Sequence, residues 1–135
     1  MKTSLQAGLE RSVNYEVPRE STIDFMGEEA RVYATPMLVR DIEMSCRELL
    51  LQHLDAGEDS VGTRVEIDHM GATLLGMQVT LQVRVAEVNG RAVTFEVEGR
   101  DAVEPIVRGK HSRFVVDVAK TAQRLAAKAA KAAST

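Results

Sequence analysis

One stretch, TPMLVRDIEMSCRELLLQHL from Thr35 to Leu54, constrains the fold of this chain more than any other. Met37, Leu38, Val39, Ile42, Met44, Cys46, Leu49, Leu50, Leu51 and Leu54 cover more of a helical circumference than the single apolar stripe of a surface helix. A helix of that kind must be buried. Thr35 suits the N-cap, where its hydroxyl accepts a bond from an orphan backbone N–H, and Pro36 suits the first helical position. His53 falls in the last turn, where positive charge is favoured, and Asp55-Ala56-Gly57 supplies a left-handed residue to close the helix. The predicted helix is about twenty residues, or roughly 30 Å, long.

The charged residues within this apolar field need a reason. Arg40, Arg47 and Glu48 reach a surface, but Glu43 lies between Ile42 and Met44 and shares its side with Val39, Cys46 and Leu50. A carboxylate there is either paired, with Arg40 or Arg47, or used chemically.

With 135 residues, 44% hydrophobic and 27% charged, residues 1–135 are predicted to form one domain with a real core. A formal net charge of -3 gives no basic field of the kind that drives non-specific nucleic-acid binding, so no nucleic-acid partner is expected. The one cysteine, Cys46, forms no internal disulfide, and no apolar leader follows Lys2. No apolar run is long enough to span a bilayer, and the expectation is a cytoplasmic protein without a membrane partner.

Along the chain, Leu9, Val13, Tyr15 and Val17 alternate on one face of a half-buried strand that ends at Pro18. The pattern fails from Arg19 to Ala34, which is expected to be a loop with one short helical turn, leading directly into the buried helix. After the helix, Val61, Thr63, Val65, Ile67 and His69 share one strand face, so the histidine points with the apolar residues. Val79, Leu81, Val83 and Val85 then alternate, Asn89-Gly90 marks a hairpin, and Val93, Phe95 and Val97 return. In the last strand, Ile106 to Val118, Gly109 and Ser112 interrupt the alternation and suggest a bulge. The tail, residues 119–135, is alanine-rich with Lys120, Arg124, Lys128 and Lys131 three or four apart, and predicts a helix. Its basic face suits an anionic ligand or surface, and a solvated, fraying helix accounts for the same pattern.

Strand, loop, long apolar helix and four meandering strands predict an α+β fold of the hotdog type. A five-stranded antiparallel sheet wraps one long buried helix. Because such a unit leaves strand edges and one flank of the helix uncovered, a homodimer is expected.

Three pieces of sequence carry a resemblance. Val32-Tyr33-Ala34-Thr35 leads to Glu43 eight residues after the threonine; Gly62-Thr63 follows nineteen residues later, with His69 seven past the glycine; Arg108-Gly109-Lys110-His111 comes last. In order and spacing, from about Leu9 to Lys120, they resemble the fluoroacetyl-CoA thioesterase family of hotdog proteins. The resemblance implies a thioesterase acting on a short acyl-CoA or related acyl thioester, with coenzyme A entering only as part of the substrate and no separate cofactor or metal. It places catalytic roles on Thr35, Glu43 and His69, with Gly62 near the reacting carbonyl through its backbone. The family's aromatic gate, six positions before the helix-entry threonine, falls on Glu29, which implies little selectivity for the fluorinated substrate.

The chemistry of these residues is compatible with that role. Glu43 suits a nucleophile or a base toward water, His69 a proton carrier near neutral pH, and Thr35 a hydrogen-bonding partner of either. Cys46, mid-helix, lacks the helix N-terminal dipole that lowers a thiol pKa and is assigned to the core. His111, followed by Arg113, is left unassigned. Two other readings stand beside hydrolysis: a non-catalytic acyl-thioester binding protein, and a hydratase. The second is disfavoured because Asp68 and His69 point to opposite faces.

Overall fold

The computed structural model describes residues 1–135. Strand β1 (Glu10–Glu16) is followed by two 3₁₀ turns (Arg19–Ser21 and Glu28–Ala30), helix α1 (Thr35–Leu51) and strands β2 (Glu58–His69), β3 (Gln78–Asn89), β4 (Ala92–Asp101) and β5 (Pro105–Asp117). Helix α2 (Val118–Ala133) ends the chain. The five strands form one sheet in the order β1-β3-β4-β5-β2, antiparallel at every pairing. This is the hotdog arrangement, with β1 and β2 at its edges.

The core follows from the alternation. Val79, Leu81, Val83, Val85, Val93 and Phe95 are fully buried and pack with Leu38, Ile42, Cys46 and Leu50 of α1. The two-residue hairpin after Asn89 holds Gly90 at φ +60°, a conformation open to glycine at little cost. Helix α1 buries one side against the sheet, but Met44 and Leu51 are 40% and 37% exposed. Its second apolar flank is therefore uncovered in one copy of the chain.

Both ends of α1 differ from expectation. Ala34, not Thr35, is the N-cap residue, because the Ala34 carbonyl already accepts from Met37 and Leu38 N–H, each at 3.0 Å. Thr35 is thus inside the helix and its hydroxyl makes no capping bond. The helix stops at Leu51 with Gln52 as C-cap. His53 lies beyond it, bonded to Ser4 Oγ at 2.8 Å, while Gly57, at φ +83°, serves the turn into β2 instead of closing the helix.

Strand β2 carries the most consequential departure. Gly62 pairs with Arg113 and Arg64 with Ser112, leaving Thr63 as an inserted residue. Such a bulge shifts the alternation by one. Paired residues share a face, so Gly62 joins the inward side with Arg113, and Val65, Ile67 and His69 join it with His111, Gly109 and Val107. Val61, paired with Phe114, is on the outer face, contrary to the simple period-two reading. The bulge expected in β5 at Gly109 and Ser112 is absent. Gly109 is needed instead for close approach, since a Cβ there would overlap the Glu66 carbonyl oxygen of the neighbouring strand.

Candidate active site

Two groups of polar side chains flank α1 on the inward side of β2. The first joins the helix entry to the end of the strand: Thr35 Oγ1 lies 2.7 Å from His69 Nδ1. The hydroxyl that sequence assigns to the cap is turned toward the imidazole instead. Burial pushes the His69 pKa below its ordinary 6.5, with the Gly71 backbone partly opposing it, so the ring is neutral at neutral pH. Its Nε2 is buried without a hydrogen-bond partner.

Tyr33 backs this pair. It is buried, and its hydroxyl bonds Tyr15 at 2.8 Å and the Asp41 carboxylate. Its ring meets the His69 ring edge-on with centroids 6.4 Å apart. Burial and the Asp41 carboxylate hold the Tyr33 phenol far above its usual range, so it is a fixed donor and packing surface.

The second group centres on Glu43. Its side chain is 39% exposed, and Oε1 lies 3.9 Å from both His111 Nε2 and Arg113 Nη1. It also lies directly over Gly62, where an added Cβ would overlap Oε1. Neither helical arginine is its partner: Arg47 is held bidentately by Asp59, at 2.9 and 2.7 Å. The cation facing Glu43 comes from the sheet.

Arg113 is buried and fixed from several sides. Its Nε donates to Ser60 Oγ at 2.7 Å, Nη2 to the Ser60 carbonyl at 2.8 Å, and Nη1 reaches His111 Nε2 at 3.1 Å. His111 Nδ1 lies 2.8 Å from the Arg64 carbonyl, which can only accept. The proton is therefore on Nδ1, and Nε2 is free to accept from Arg113. Burial lowers the His111 pKa, keeping the ring neutral, and Phe95 stacks on it at 6.4 Å. Burial also lowers the Arg113 pKa, and Glu43 opposes that shift.

The structure thus brings Thr35 to His69 and Glu43 to Gly62, but no hydrogen bond joins the two groups. Eight helical residues separate Thr35 from Glu43, roughly 12 Å along the axis. Sequence reasoning left His111 unassigned and gave Arg113 no role. The signal was present in β5, where Val107, Gly109, His111, Arg113 and Val115 occupy alternate positions and so one face.

The other residues weighed from the sequence supply no reactive group to either cluster. Burial pushes the Cys46 thiol up to about 12, which makes it an inert core residue. Asp68 is exposed and faces Arg108 at 3.7 Å on the opposite side from His69. Glu29 is exposed on its 3₁₀ turn, Phe25 is 78% exposed, and Tyr33 is committed to the core.

Comparison with known proteins gives concordant matches. Residues 17–119 match the family model described as FlK, fluoroacetyl-CoA-specific thioesterase. The fluoroacetyl-CoA thioesterase of Streptantibioticus cattleyicolor is 29% identical over 127 residues, 89% of this chain and 91% of that protein. A solved structure of the fluoroacetyl-CoA thioesterase FlK superposes with a TM-score of 0.85 at 27% identity, covering 93% of this chain and 98% of the other. A Thermus thermophilus hypothetical protein, a thioesterase superfamily member, superposes with a TM-score of 0.88 at 25% identity over 98% and 99% of the two chains.

Proposed function

This chain belongs to the fluoroacetyl-CoA-specific thioesterase family, and we propose that it hydrolyses short acyl-CoA thioesters through Glu43, Thr35 and His69, with Gly62 beneath the reacting carbonyl. The observation that carries the reading is the seat of Glu43. A half-exposed carboxylate rests on bare glycine backbone, with a buried, rigidly held arginine behind it. A carboxylate so placed is accessible to substrate and kept in one orientation.

Two routes fit that placement. As a base, Glu43 takes a proton from water, the new hydroxyl adds to the thioester carbon, and the tetrahedral oxyanion collapses to expel the thiolate, which regains a proton. As a nucleophile, the carboxylate itself adds to that carbon and releases the thiolate, and water then cleaves the mixed anhydride. In the base route neutral His69, hydrogen-bonded to Thr35, accepts the proton that Glu43 took from water and passes it to the leaving sulfur. In the nucleophile route it takes the proton of the water that cleaves the anhydride, and that proton goes on to the thiolate. Thr35 and Glu43 stand roughly 12 Å apart along the helix axis, so the two groups act together only across a bound substrate.

Assembly completes the proposal. The β2 edge is unpaired along twelve residues, Val61 and Val65 are exposed on it, and the adjacent flank of α1 bears Met44 and Glu43. A second copy pairing there covers the apolar flank and excludes water from Glu43. We take residues 1–135 as one domain, cytoplasmic in location; no helix is long and apolar enough to cross a membrane.

The test is a panel of short acyl-CoA esters with a thiol reagent reporting released coenzyme A. Turnover above the spontaneous rate is expected. Binding without turnover on any ester would assign a non-catalytic acyl-thioester binding protein instead. Light scattering at micromolar concentration should give twice the 14.8 kDa chain mass, and a monomeric mass would refute the assembly.

A further inference from the structure

Helix α2 plays no part in the chemistry above, yet its charge is sharply segregated. Val118–Ala133 contains four basic residues and no acidic one, in a chain whose acidic residues outnumber its basic ones by 20 to 17. Lys120, Arg124, Lys128 and Lys131 fall on one side of the helix, and none has an ion-pair partner. Four unpaired cations on one stripe repel one another.

Two of these cations line a groove of about 700 Å³ between α2 and the outer face of β5. Lys120 and Arg124 line it from α2, and Arg91 from the β3–β4 hairpin lines it as well. The floor holds Val116 and Phe114, the latter 42% exposed on the outer face. Arg91 is aimed by the Val115 carbonyl at 3.3 Å and by Glu58 at 3.5 Å. Glu58 is shared with the N-terminal ammonium, which also bonds Asp55 at 2.7 Å, so Arg91 is a partly offset charge and Lys120 and Arg124 are the unpaired ones. Asp117 is the one acidic residue lining the groove, and its carboxylate is occupied as the N-cap of α2, accepting from Lys120 N at 3.0 Å.

Three cationic side chains and an exposed aromatic ring lining one groove suit a ligand that joins phosphate to a flat base. Phosphates take the charge-assisted bonds, and the base stacks on the ring. The groove's volume lies in the range that holds a small molecule. We propose that this groove binds a nucleoside phosphate. The ligand arrives either as the nucleotide end of the thioester substrate, a source that rests on the thioesterase reading, or as a free nucleotide, which does not.

The probe is adenosine 3′,5′-bisphosphate, titrated calorimetrically into the full chain with inorganic phosphate as comparator. The bisphosphate should bind more tightly than phosphate, and more weakly as salt rises. Lys120→Glu with Arg124→Glu should weaken it by about tenfold or more. Phe114→Ala should cost about tenfold, the scale of base–aromatic stacking. If the double reversal fails to fold, judged by circular dichroism, the paired glutamine substitutions replace it. Absence of binding at millimolar bisphosphate, equal affinity for phosphate, or affinity unchanged by both sets of substitutions would overturn the proposal.

A kinetic arm separates the sources. If the substrate's own nucleotide occupies the groove, the charge reversal lowers the ratio of kcat/KM for acetyl-CoA to that for acetyl-pantetheine by about tenfold. Nucleotide binding with that ratio unchanged assigns the groove to a free nucleotide. Lack of any hydrolysis would remove the thioesterase reading, and the binding arm would still decide the groove.

Discussion

Replacing Gly62 by alanine isolates the contact on which Glu43 depends. The new Cβ would sit about 1 Å inside van der Waals contact with Glu43 Oε1. On its other sides it meets His111 Cε1 at 3.2 Å and Arg113 Nη1 at 3.5 Å, both held by the buried network. Glu43 is the group free to yield, outward along its exposed flank. Gly62 is not among the glycines with positive φ, so alanine adopts the same backbone without strain. Stability should change by no more than about 1 kcal/mol, because alanine in a strand costs less conformational entropy than glycine. A carboxylate displaced by about 1 Å from its attack position costs roughly 10²-fold in rate. Initial rates of coenzyme A release from acetyl-CoA, with thermal melts of the same samples, measure both quantities. The double variant with Glu43→Gln should be no slower than Glu43→Gln alone, since both changes act on one group. A Gly62→Ala enzyme with kcat within about threefold of the parent, or one that loses its fold, would refute the reasoning.

Glu43→Gln itself keeps the volume and removes the charge, so turnover should fall by about two or more orders of magnitude with folding retained. Should Glu43 be only the counterion of Arg113, the same change would cost a few kcal/mol of stability while sparing activity, which a melt and a rate measurement distinguish. Because burial holds His69 below 6.5, its neutral form persists into mild acid, and the acid limb of the kcat/KM profile should fall below pH 6.5. His111 is depressed by burial as well, so the stability that both rings contribute is full above 6.5. It is lost as pH falls from 6.5 through their folded values, because the unfolded chain then binds more protons; denaturant midpoints across that range test the sign. With Glu29 exposed at the position where the resemblance implies an aromatic gate, and Phe25 exposed and Tyr33 buried, kcat/KM for fluoroacetyl-CoA should exceed that for acetyl-CoA by less than about tenfold. A larger ratio would locate the gate elsewhere.

Period and punctuation determined the elements and the fold class, but not the full strand order: only β3, β4 and β5 meander, and β2 pairs with β5 at the sheet edge instead of with β3. The apolar helix after Thr35, the alternation of Val79 to Val85 and of Val93 to Val97, and the Asn89-Gly90 hairpin are local signals, and each appears where its pattern places it. The resemblance to the fluoroacetyl-CoA thioesterase family, carried by residue order and spacing, picked out Thr35, Glu43, Gly62 and His69 as a set. What local pattern does not contain is which element a polar side chain meets. Thr35 has the composition of a cap, but the Ala34 carbonyl starts the helix and His69, 34 residues away, takes the hydroxyl. Arg47 has the spacing of a Glu43 partner, but Asp59 on β2 offers a bidentate acceptor and wins it. The bulge at Thr63 depends on pairing with β5, and it alone turns Gly62 inward under Glu43. Arg113 and His111 meet Glu43 because α1 crosses β5 in space, a juxtaposition fixed by packing between elements distant in the chain.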